Sequence, residues 1–184
     1  MKKALLFNAV VLSCMFLAPT FFCACDRNEE EITQKKDPKK EDPVPVKASL
    51  SITLEISQDV LNLCDVVIKY DDSTGEKTRE MTEVSNSVNI IAGLPATFNV
   101  KVEATLKEGA SLEGIDHVSI TRNIRYSYHL LTADEKQIEG RGGSKTSETQ
   151  LAVGGDRFAE YITDGRYNKE FSVRLDSKGN LINE

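Results

Sequence analysis

The sequence predicts an all-β domain, a single antiparallel β-sandwich of about seven to nine strands. Apolar and polar residues alternate strictly in several segments, which is the pattern of strands with one buried face and one wet face. Turn-forming residues separate these segments. No stretch has the periodicity of an amphipathic helix of ordinary length, and residues 57–63 are expected to form only a short helical turn or loop.

The alternating apolar positions place the predicted strands along the chain. Cys64 has the same parity as Val66, Ile68 and Tyr70, so it is expected to face the core as a small, inert hydrophobic side chain. Short alternation at Val88 and Ile90 predicts another strand. The remaining predicted core positions are Leu50, Ile52, Leu54, Ile56, Phe98, Val100, Val102, Ala104, Leu106, Ile124, Tyr126, Tyr128, Leu130, Phe171, Val173 and Leu175.

Turns between these segments favour antiparallel pairing. Residues 71–75 form a polar turn that ends in glycine, and residues 93–95 break the chain before the next strand. Residues 176–180 lie between Leu175 and Leu181, which predicts a final hairpin. We therefore expect an immunoglobulin-like architecture, although the chain has no Trp and the predicted domain has only one Cys.

Residues 91–102 read Ile-Ala-Gly-Leu-Pro-Ala-Thr-Phe-Asn-Val-Lys-Val. This segment resembles the Gly-Leu-Pro turn and following alternating strand that many immunoglobulin-like modules of Bacteroidetes lipoproteins contain. The resemblance covers about twelve residues and supports the fold more than any function.

The N-terminus has the features of a secretory signal. Lys2 and Lys3 precede an uncharged apolar stretch, and Ala24 lies directly before Cys25. A cysteine after a small residue at the cut resembles the lipobox of bacterial lipoproteins, which implies cleavage after residue 24 and lipidation of Cys25. Cys23 is disfavoured as the lipidated residue because bulky Phe22 precedes it. The alternatives are an ordinary secretory signal and a retained transmembrane helix, whose apolar stretch would have about the required length.

Residues 25–47 are expected to form a lipidated start and a disordered tether, and residues 48–184 the β-sandwich domain. The tether is rich in proline and charge and cannot bury enough apolar surface to offset the entropy of ordering. Its acidic beginning resembles the surface-export signal of Bacteroidetes lipoproteins, although a solvated linker accounts for it equally well. Removal of Lys2 and Lys3 with the signal changes the net charge from −6 to −8, which argues against nucleic acid as a partner.

The expected partner at the N-terminus is therefore a membrane, held through acyl chains rather than through a basic patch. These features predict an outer-membrane lipoprotein of the cell envelope, with display on the cell surface as a further expectation.

Few residues suggest chemistry. His117 and His129 are the only histidines, and their spacing gathers no further ligands, so no metal or other cofactor is expected. Asp71, Asp72 and Glu76 surround a glycine-containing turn but lack the spacing of a calcium-binding loop. Asp72-Ser73-Thr74 resembles the O-glycosylation signal of Bacteroidetes, which implies a glycan on Ser73.

A glycine-rich segment suggests a binding loop. Residues 140–146 resemble a phosphate-binding loop only weakly, because Ser144 replaces the glycine expected before Lys145. We expect residues 139–150 to form a mobile loop that carries binding residues Arg141 and Lys145, and residues 154–156 to form a second break. Tyr161 and Tyr167 are expected to be exposed and available to a ligand.

These observations predict no catalytic residues and a monomeric domain that serves as a non-catalytic binding or accessory module for an unknown protein or glycan. A small fimbrial or pilus subunit, joined to its neighbours by strand exchange, is one alternative. A glycan-binding accessory protein is another, although the chain has no Trp to stack on a sugar. An enzyme is the interpretation that the sequence supports least.

Overall fold

The computed structural model describes residues 42–182. The signal, the predicted lipidation site at Cys25 and most of the predicted tether lie outside the described residues. Residues 42–46 precede the first strand, and the amide of Val46 donates to the carbonyl of Leu131 at 3.0 Å. The chain thus joins the sheet slightly before Ala48, the predicted start of the domain.

The described residues form eight strands and two helices. In chain order they are β1 (Lys47–Ile56), α1 (Gln58–Leu63), β2 (Cys64–Asp72), β3 (Gly75–Glu80), β4 (Ser85–Gly93), β5 (Ala96–Leu106), β6 (Val118–Leu131), β7 (Gln137–Val153), α2 (Gly155–Thr163) and β8 (Lys169–Leu175). Helix α1 occupies the segment predicted as a short helical turn or loop.

The strands form two antiparallel four-stranded sheets. The first sheet has the order β4-β1-β6-β7 and the second the order β3-β2-β5-β8. Buried side chains of both sheets belong to one hydrophobic core. This arrangement is compatible with the predicted β-sandwich.

The alternating pattern of the sequence corresponds to burial in the structure. Buried and half-buried residues alternate along the whole of β1, and Leu50, Ile52 and Leu54 are fully buried. The same alternation holds in β4 and β5. Cys64 is also buried, which confirms its predicted orientation.

The predicted turns are confirmed as well. Residues 73–74 join β2 to β3, and residues 94–95 separate β4 from β5 with a cis peptide bond between Leu94 and Pro95. After β8, the Asp176 carboxylate accepts hydrogen bonds from the amides of Lys178 and Asn180, both at 2.8 Å. This turn brings Leu181 into an isolated antiparallel bridge with Leu175.

The prediction of a mobile loop at residues 139–150 was wrong, because this segment is part of β7. At 17 residues, β7 is the longest described strand, and it pairs with β6 from Val153 to Gln137. It lies at the edge of its sheet, so few of its positions are buried. An edge strand with two wet faces has no apolar alternation, and its glycine and hydroxyl residues look like loop residues.

The prediction that the chain has no helix of ordinary length also needs correction. Helix α2 has 9 residues and buries Phe158 and Ile162 on one face. Gly154 caps its start, which agrees with the chain break predicted at residues 154–156. Tyr161 packs half-buried against the core, and Tyr167, which follows the helix, has 0% exposure. The expectation that Tyr167 is exposed was therefore wrong.

A buried arginine links the two sheets at this point. Arg122 of β6 is 7% exposed, and its guanidinium donates to the backbone carbonyls of Tyr167 and Asn168, which lie just before β8. It also donates to Thr149 Oγ1 of β7 at 2.9 Å and lies 5.6 Å from the centre of the Tyr167 ring. One charged side chain of the first sheet thereby holds the connection that leads into the second.

Aromatic stacking adds a second link between the sheets. The rings of Tyr126 on β6 and Phe171 on β8 have their centroids 4.9 Å apart and are nearly parallel, at 11°. Together with Arg122, this contact holds the β6–β7 hairpin and β8 against each other.

Candidate functional site

The outer surface of the first sheet is dominated by short hydroxyl side chains. In the strand register, Ser51 of β1 lies between Asn89 of β4 and Ser127 of β6, and Ser127 in turn lies beside Ser144 of β7. The neighbouring row contains Ser87, Thr53, Arg125 and Thr146. We call this surface the hydroxyl face; its hydroxyl-bearing members are Ser49, Ser51, Thr53, Ser87, Ser127, Ser144 and Thr146.

Most of these hydroxyls have no protein partner. Thr53 Oγ1 and Ser87 Oγ are 3.0 Å apart and form a hydrogen bond. Within residues 42–182, the hydroxyls of Ser51, Ser127 and Ser144 have no hydrogen-bond partner in the protein. Each hydroxyl has one donor and two acceptor positions, so the face offers hydrogen-bonding capacity to whatever covers it.

Two adjoining cavities lie on the hydroxyl face. The larger, of about 460 Å³, lies over β6 and β7 and extends from Ser127 and His129 to Arg141. The smaller, of about 230 Å³, extends over β1, β6 and β7 and is lined by Thr53, Arg125 and Lys145 among others. Ser127 and Ser144 line both cavities, so the two form one continuous shallow groove.

Glycines give the larger cavity its floor. A side chain at Gly142 would place its Cβ 2.3 Å from the backbone oxygen of Tyr128 and 3.1 Å from Nδ1 of His129. A Cβ at Gly143 would lie 2.8 Å from the ring of Tyr128, on the other side of the sheet. Gly140 has a φ of +69° beside the register shift between His129 and Leu131. The glycine-rich segment is therefore explained by close packing and a bulge rather than by a phosphate-binding loop.

Polar side chains on the face are held in place by neighbours. His129 Nδ1 lies 2.9 Å from Nε2 of Gln137, which fixes the imidazole above Gly142. Arg125 donates to Oε2 of Glu55 at 2.9 Å, and Asn123 donates to the same oxygen at 2.9 Å. The guanidinium of Arg125 has five N–H donors, and its side chain remains 57% exposed. It can therefore hold its position and still contact a ligand.

Two of the four predicted binding residues lie on the strand that borders this site, but their side chains do not face the groove. Arg141 and Lys145 lie at the open edge of β7 rather than on a loop. Nη2 of Arg141 donates to the carbonyl of Lys178 at 2.8 Å, and neither Arg141 nor Lys145 has an ion pair within the described range. Arg141 and Lys145 have the same parity as Gly143, which faces the Tyr128 ring, so their side chains leave β7 on the side of the sheet opposite to the hydroxyl face. The other two, Tyr161 and Tyr167, pack against the core and are not part of the groove.

The predicted modification site is exposed. Ser73 lies at the tip of the β2–β3 hairpin. Asp72 Oδ1 accepts hydrogen bonds from the amide and the hydroxyl of Thr74, both at 2.7 Å, and these bonds lower the pKa of the Asp72 carboxyl. Glycosylation of Ser73 stays a prediction.

The outer surface of the second sheet is different, because its polar groups bind one another. Glu103 of β5 pairs with Lys69 of β2 and with Lys101 of β5, each at 2.6 Å. Asn99 donates to Asp71 and accepts from Ser172, at 3.2 and 2.9 Å. We call this surface the charged face. Its cavity of about 320 Å³ is lined by Asp71, Glu76 and Glu170 as well as by both lysines.

The other candidate residues remain apart from both faces. Burial raises the pKa of the Cys64 thiol to about 12, so it is protonated and a poor nucleophile at neutral pH. His117 lines a separate cavity of about 180 Å³ with Asp59 and Asn62. Among residues 42–182, no group of three or more His, Cys, Asp or Glu side chains is placed to hold a metal ion.

The sequence contained a signal for the hydroxyl face that was not used. Ser49, Ser51, Thr53 and Ser127 were already predicted to face outward by the alternation of their strands. Comparing the outward residues of neighbouring strands would have shown a group of short hydroxyl side chains beside Glu55 and Arg125. The contribution of β7 could not have been found in this way, because its strand was not recognised.

No protein-family model, curated protein or solved structure matches this chain. Between residues 42 and 182, no helix has both the length and the apolar character that crossing a membrane requires.

Proposed function

We propose that this chain is a non-catalytic, lipid-anchored protein of the cell envelope that binds a polar partner through the hydroxyl face. The groove over β1, β6 and β7 carries this proposal, because the hydroxyls of Ser51, Ser127 and Ser144 lack protein partners and Gly142 adds no side chain to its floor. Ser and Thr lose little side-chain entropy when they are covered, which favours their use in a recognition surface.

The anchor is proposed at Cys25, on the lipobox-like sequence that ends with Ala24. Several acyl chains on one cysteine would hold the protein stably in a membrane, and the charged segment after it would serve as a tether. We place the protein at the outer membrane, with surface display as the further proposal.

The domain itself is proposed to be immunoglobulin-like. Four strand pairings correspond to pairings of that fold: β1 with β4 corresponds to B–E, β2 with β3 to C–C′, β2 with β5 to C–F, and β5 with β8 to F–G. On this interpretation, β6 and β7 lie on the side of β1 where strand A would lie. The hairpin that carries most of the groove is then an addition to an immunoglobulin-like framework.

Binding through the hydroxyl face is tested by blocking the groove in the full mature chain. Ser144 lines both cavities, so Ser144→Tyr should fill the groove and reduce binding to isolated cell envelopes by about tenfold or more. Thr97→Tyr adds the same ring to an exposed position on β5, in the other sheet, and should leave binding unchanged. Equal binding by both variants would refute the proposal.

The anchor is tested separately with Cys25→Ala. The unchanged chain should partition into detergent and carry fatty acid on residue 25 in mass spectrometry of its N-terminal peptide. The variant should lose the fatty acid and appear in the aqueous fraction. A mature chain that carries no lipid would refute the anchor and leave the binding face untouched.

A pilus subunit is a second candidate, and the length of β7 favours it. This 17-residue strand pairs with β6 on one side and lies at the sheet edge on the other, where a strand from another subunit could add. Mature protein that stays monomeric at high concentration in analytical ultracentrifugation would count against this function.

A further inference from the structure

We propose that the gap between the edges of β7 and β8 binds an extended acidic peptide segment of a partner protein, which adds to β8 as a further strand. The gap lies on the side of β7 opposite to the hydroxyl face, so this inference concerns a second site and goes beyond the proposed function. We call the gap the edge slot; it is bordered by Tyr126, Arg141, Lys145, Lys169 and Phe171.

Strand β7 runs beside β8 from one end to the other. Just before β8 begins, the guanidinium of Arg122 donates to Thr149 of β7 and to the carbonyl of Asn168. Just after β8 ends, Arg141 of β7 donates to the carbonyl of Lys178 at 2.8 Å. Both ends of β8 are therefore connected to β7, and the edge slot extends over the length of β8.

The two sheets are offset by one strand at the edge slot. The ring of Tyr126 on β6 stacks on that of Phe171 on β8, with centroids 4.9 Å apart, so β8 lies opposite β6. Because β1 approaches β5 in the same way, β7 projects beyond β8, which is the last strand of its sheet. Packed sheets are about 10 Å apart and neighbouring strands about 4.8 Å, so the position beside β8 has the dimensions of one added strand.

The outer edge of β8 has backbone groups that can pair with such a strand. The amide of Ile182 donates to the carbonyl of Arg174 at 2.9 Å, so the chain after the turn covers only the end of this edge. Successive residues direct their backbone groups to alternate edges, so those of Ser172 and Glu170 point the same way as those of Arg174. No described strand pairs with β8 on that side, which leaves these groups open to an extended segment.

The side chains that border the edge slot include three cations. Lys145 lies opposite Tyr126 in the strand register, so both side chains leave the sheet towards the slot. Lys169 has the parity of Phe171, which directs it to the same space. Both lysines are exposed, and within residues 42–182 neither has an ion pair. Arg141 donates only to a neutral carbonyl among its described contacts, so the protein does not balance these charges.

The carboxylates of β7, β8 and the following turn are directed away from the edge slot. Glu148 lies on the margin of the hydroxyl face, and Glu170 lines the cavity of the charged face. Asp176 accepts hydrogen bonds from the amides of its own turn. Glu139 lies beyond Gly140, where the register shift interrupts the alternation of β7. The cations of the slot are therefore available to an acidic ligand.

A strand edge combined with cations specifies an acidic peptide. A polypeptide has N–H and C=O groups at the spacing that the edge of β8 requires. Alternate side chains of an added strand would point into the edge slot, so acidic residues at every second position would meet Lys145 and Lys169. The stacked rings of Tyr126 and Phe171 offer an apolar surface to the methylene groups of those side chains.

The experiment measures binding of the full mature chain, held in detergent micelles, to a synthetic peptide of four Thr-Glu repeats by fluorescence anisotropy. A peptide of four Thr-Gln repeats has the same alternation without the charge. We expect the Thr-Glu peptide to bind at least about tenfold more tightly than the Thr-Gln peptide, which corresponds to about 1.4 kcal/mol.

Two double variants locate the site. Lys145→Gln with Lys169→Gln should weaken binding of the Thr-Glu peptide by about tenfold or more, while Lys69→Gln with Lys101→Gln on the charged face should change it by less than about twofold. Both variants remove two positive charges, so they are matched in net charge. Ser144→Tyr on the hydroxyl face should leave peptide binding unchanged, which separates this site from the proposed function.

Ser172→Pro tests pairing with β8. Proline removes the amide that points to the open edge and keeps the hydrogen bonds to β5, and edge strands accept proline at such positions. We expect peptide binding to weaken by about tenfold. Ser172→Ala removes only the hydroxyl bond to Asn99 and should bind like the unchanged chain. In the unchanged chain, the peptide should slow hydrogen exchange of the Ser172 and Glu170 amides by about tenfold or more, measured by NMR.

Each other outcome would overturn the inference. Equal binding of the Thr-Gln peptide would show that charge is not recognised, and binding that survives the Lys145 and Lys169 substitutions would place the peptide elsewhere. Binding without slower exchange at Ser172 and Glu170 would show contact with the cations but no added strand. A mature chain that sediments as a dimer and binds no peptide would show that a second copy fills the edge slot.

Discussion

The two outer faces of this domain differ in how their polar side chains are hydrogen-bonded. Both cover a sheet with polar residues, but the charged face pairs its groups with one another, as Lys69 and Lys101 do with Glu103. On the hydroxyl face, Ser51, Ser127 and Ser144 have no partner in the described part of the protein. A face whose polar groups are mutually satisfied gains little from a ligand, whereas a face with unused donors and acceptors can exchange water for one.

The faces also differ in what covering them would cost. Long lysine and glutamate side chains lose about 1.5–2 kcal/mol of rotamer freedom each when they are immobilised, and serine loses much less. The comparison therefore supports the proposal that the hydroxyl face binds a partner, and substitutions on or beneath the two faces can test this difference.

The largest expected effect comes from removing the buried arginine that links the two sheets. Arg122→Ala removes the guanidinium that binds the carbonyls of Tyr167 and Asn168 and the hydroxyl of Thr149. Because hydrogen bonds of charged groups are worth about 1.5–3 kcal/mol each, we expect the free energy of unfolding to fall by about 3 kcal/mol or more. Urea denaturation of the full chain measures this change.

Arg125→Ala is the matched control for Arg122→Ala. It removes an arginine from the same strand, but one that is 57% exposed and paired with Glu55 at the surface. An exposed ion pair contributes about 0–1 kcal/mol, so the loss should be small. Equal losses in the two variants would show that Arg122 does not join the sheets.

The next effect concerns the floor of the hydroxyl face. Gly142→Ala would place a Cβ 2.3 Å from the oxygen of Tyr128, a backbone atom that cannot move without disturbing the β6–β7 ladder. We expect a loss of about 1–3 kcal/mol in the free energy of unfolding, measured by urea denaturation.

Gly93→Ala tests whether the effect at Gly142 is steric. Gly93 ends β4 at the opposite edge of the same sheet, and a Cβ there would meet nothing within 4 Å. This substitution should change stability by less than about 0.5 kcal/mol. A loss in Gly93→Ala as large as that in Gly142→Ala would refute the explanation by close packing.

A smaller effect is expected in how stability depends on pH, because within residues 42–182 only the charged face contains a carboxyl group paired with two lysines. Hydrogen bonds from Lys101 and Lys69 hold the pKa of Glu103 below its ordinary value of 4.5. A carboxyl whose pKa is lower in the folded chain stabilises the fold above its unfolded pKa and loses that contribution as pH falls through its folded pKa. Glu103→Gln should therefore reduce the loss of stability below about pH 4.5, by less than about 1 kcal/mol because the group is at the surface.

The measurement is the urea midpoint of unfolding between neutral pH and pH 3. Glu148→Gln on the margin of the hydroxyl face is the control, since Glu148 has no ion pair among residues 42–182. An acid response that Glu148→Gln alters as much as Glu103→Gln would contradict the proposed difference between the faces.

The smallest expected effect on stability is at Ser73. This exposed residue lies at the tip of the β2–β3 hairpin, so Ser73→Ala should change the free energy of unfolding by less than about 0.5 kcal/mol. Intact-mass measurement of chain purified from its native cells should show the loss of one glycan in the variant. Identical masses, apart from the substituted oxygen, would refute glycosylation at this position.

Strands with one buried face could be predicted from the sequence, and those with two wet faces could not. Leu50, Ile52 and Leu54 alternate with polar residues because burial acts on every second position. In β7 the outer edge is unpaired, and both sets of alternating positions are polar, including Lys145, Ser147 and Thr149 on one side. The local composition therefore resembled that of a loop. Pairing with β6 decides its conformation, and pairing is a property of the whole chain.

The same limit applies to the candidate site. Arg141 and Lys145 were predicted to lie on a mobile loop, but they lie on an edge strand, and their role in binding stays a prediction. Tyr167 was wrongly predicted to be exposed. Its burial depends on tertiary contacts, such as those with Arg122, that the local sequence does not show. A short helix such as α2, with Phe158 and Ile162 buried, gives only one turn of apolar spacing and is hard to recognise.

Strands β5 and β8 are paired in register, with Val102 opposite Lys169, although β6, β7 and α2 lie between them in the chain. The two ends of that long excursion thus meet in space, which is the geometry at which proteins accept inserted segments. The inward side of the excursion is tied to the fold, because β6 supplies Ile120, Ile124 and the buried Arg122. Its outward positions carry no such constraint, so substitutions there could alter the outer surface while the two sheets stay joined.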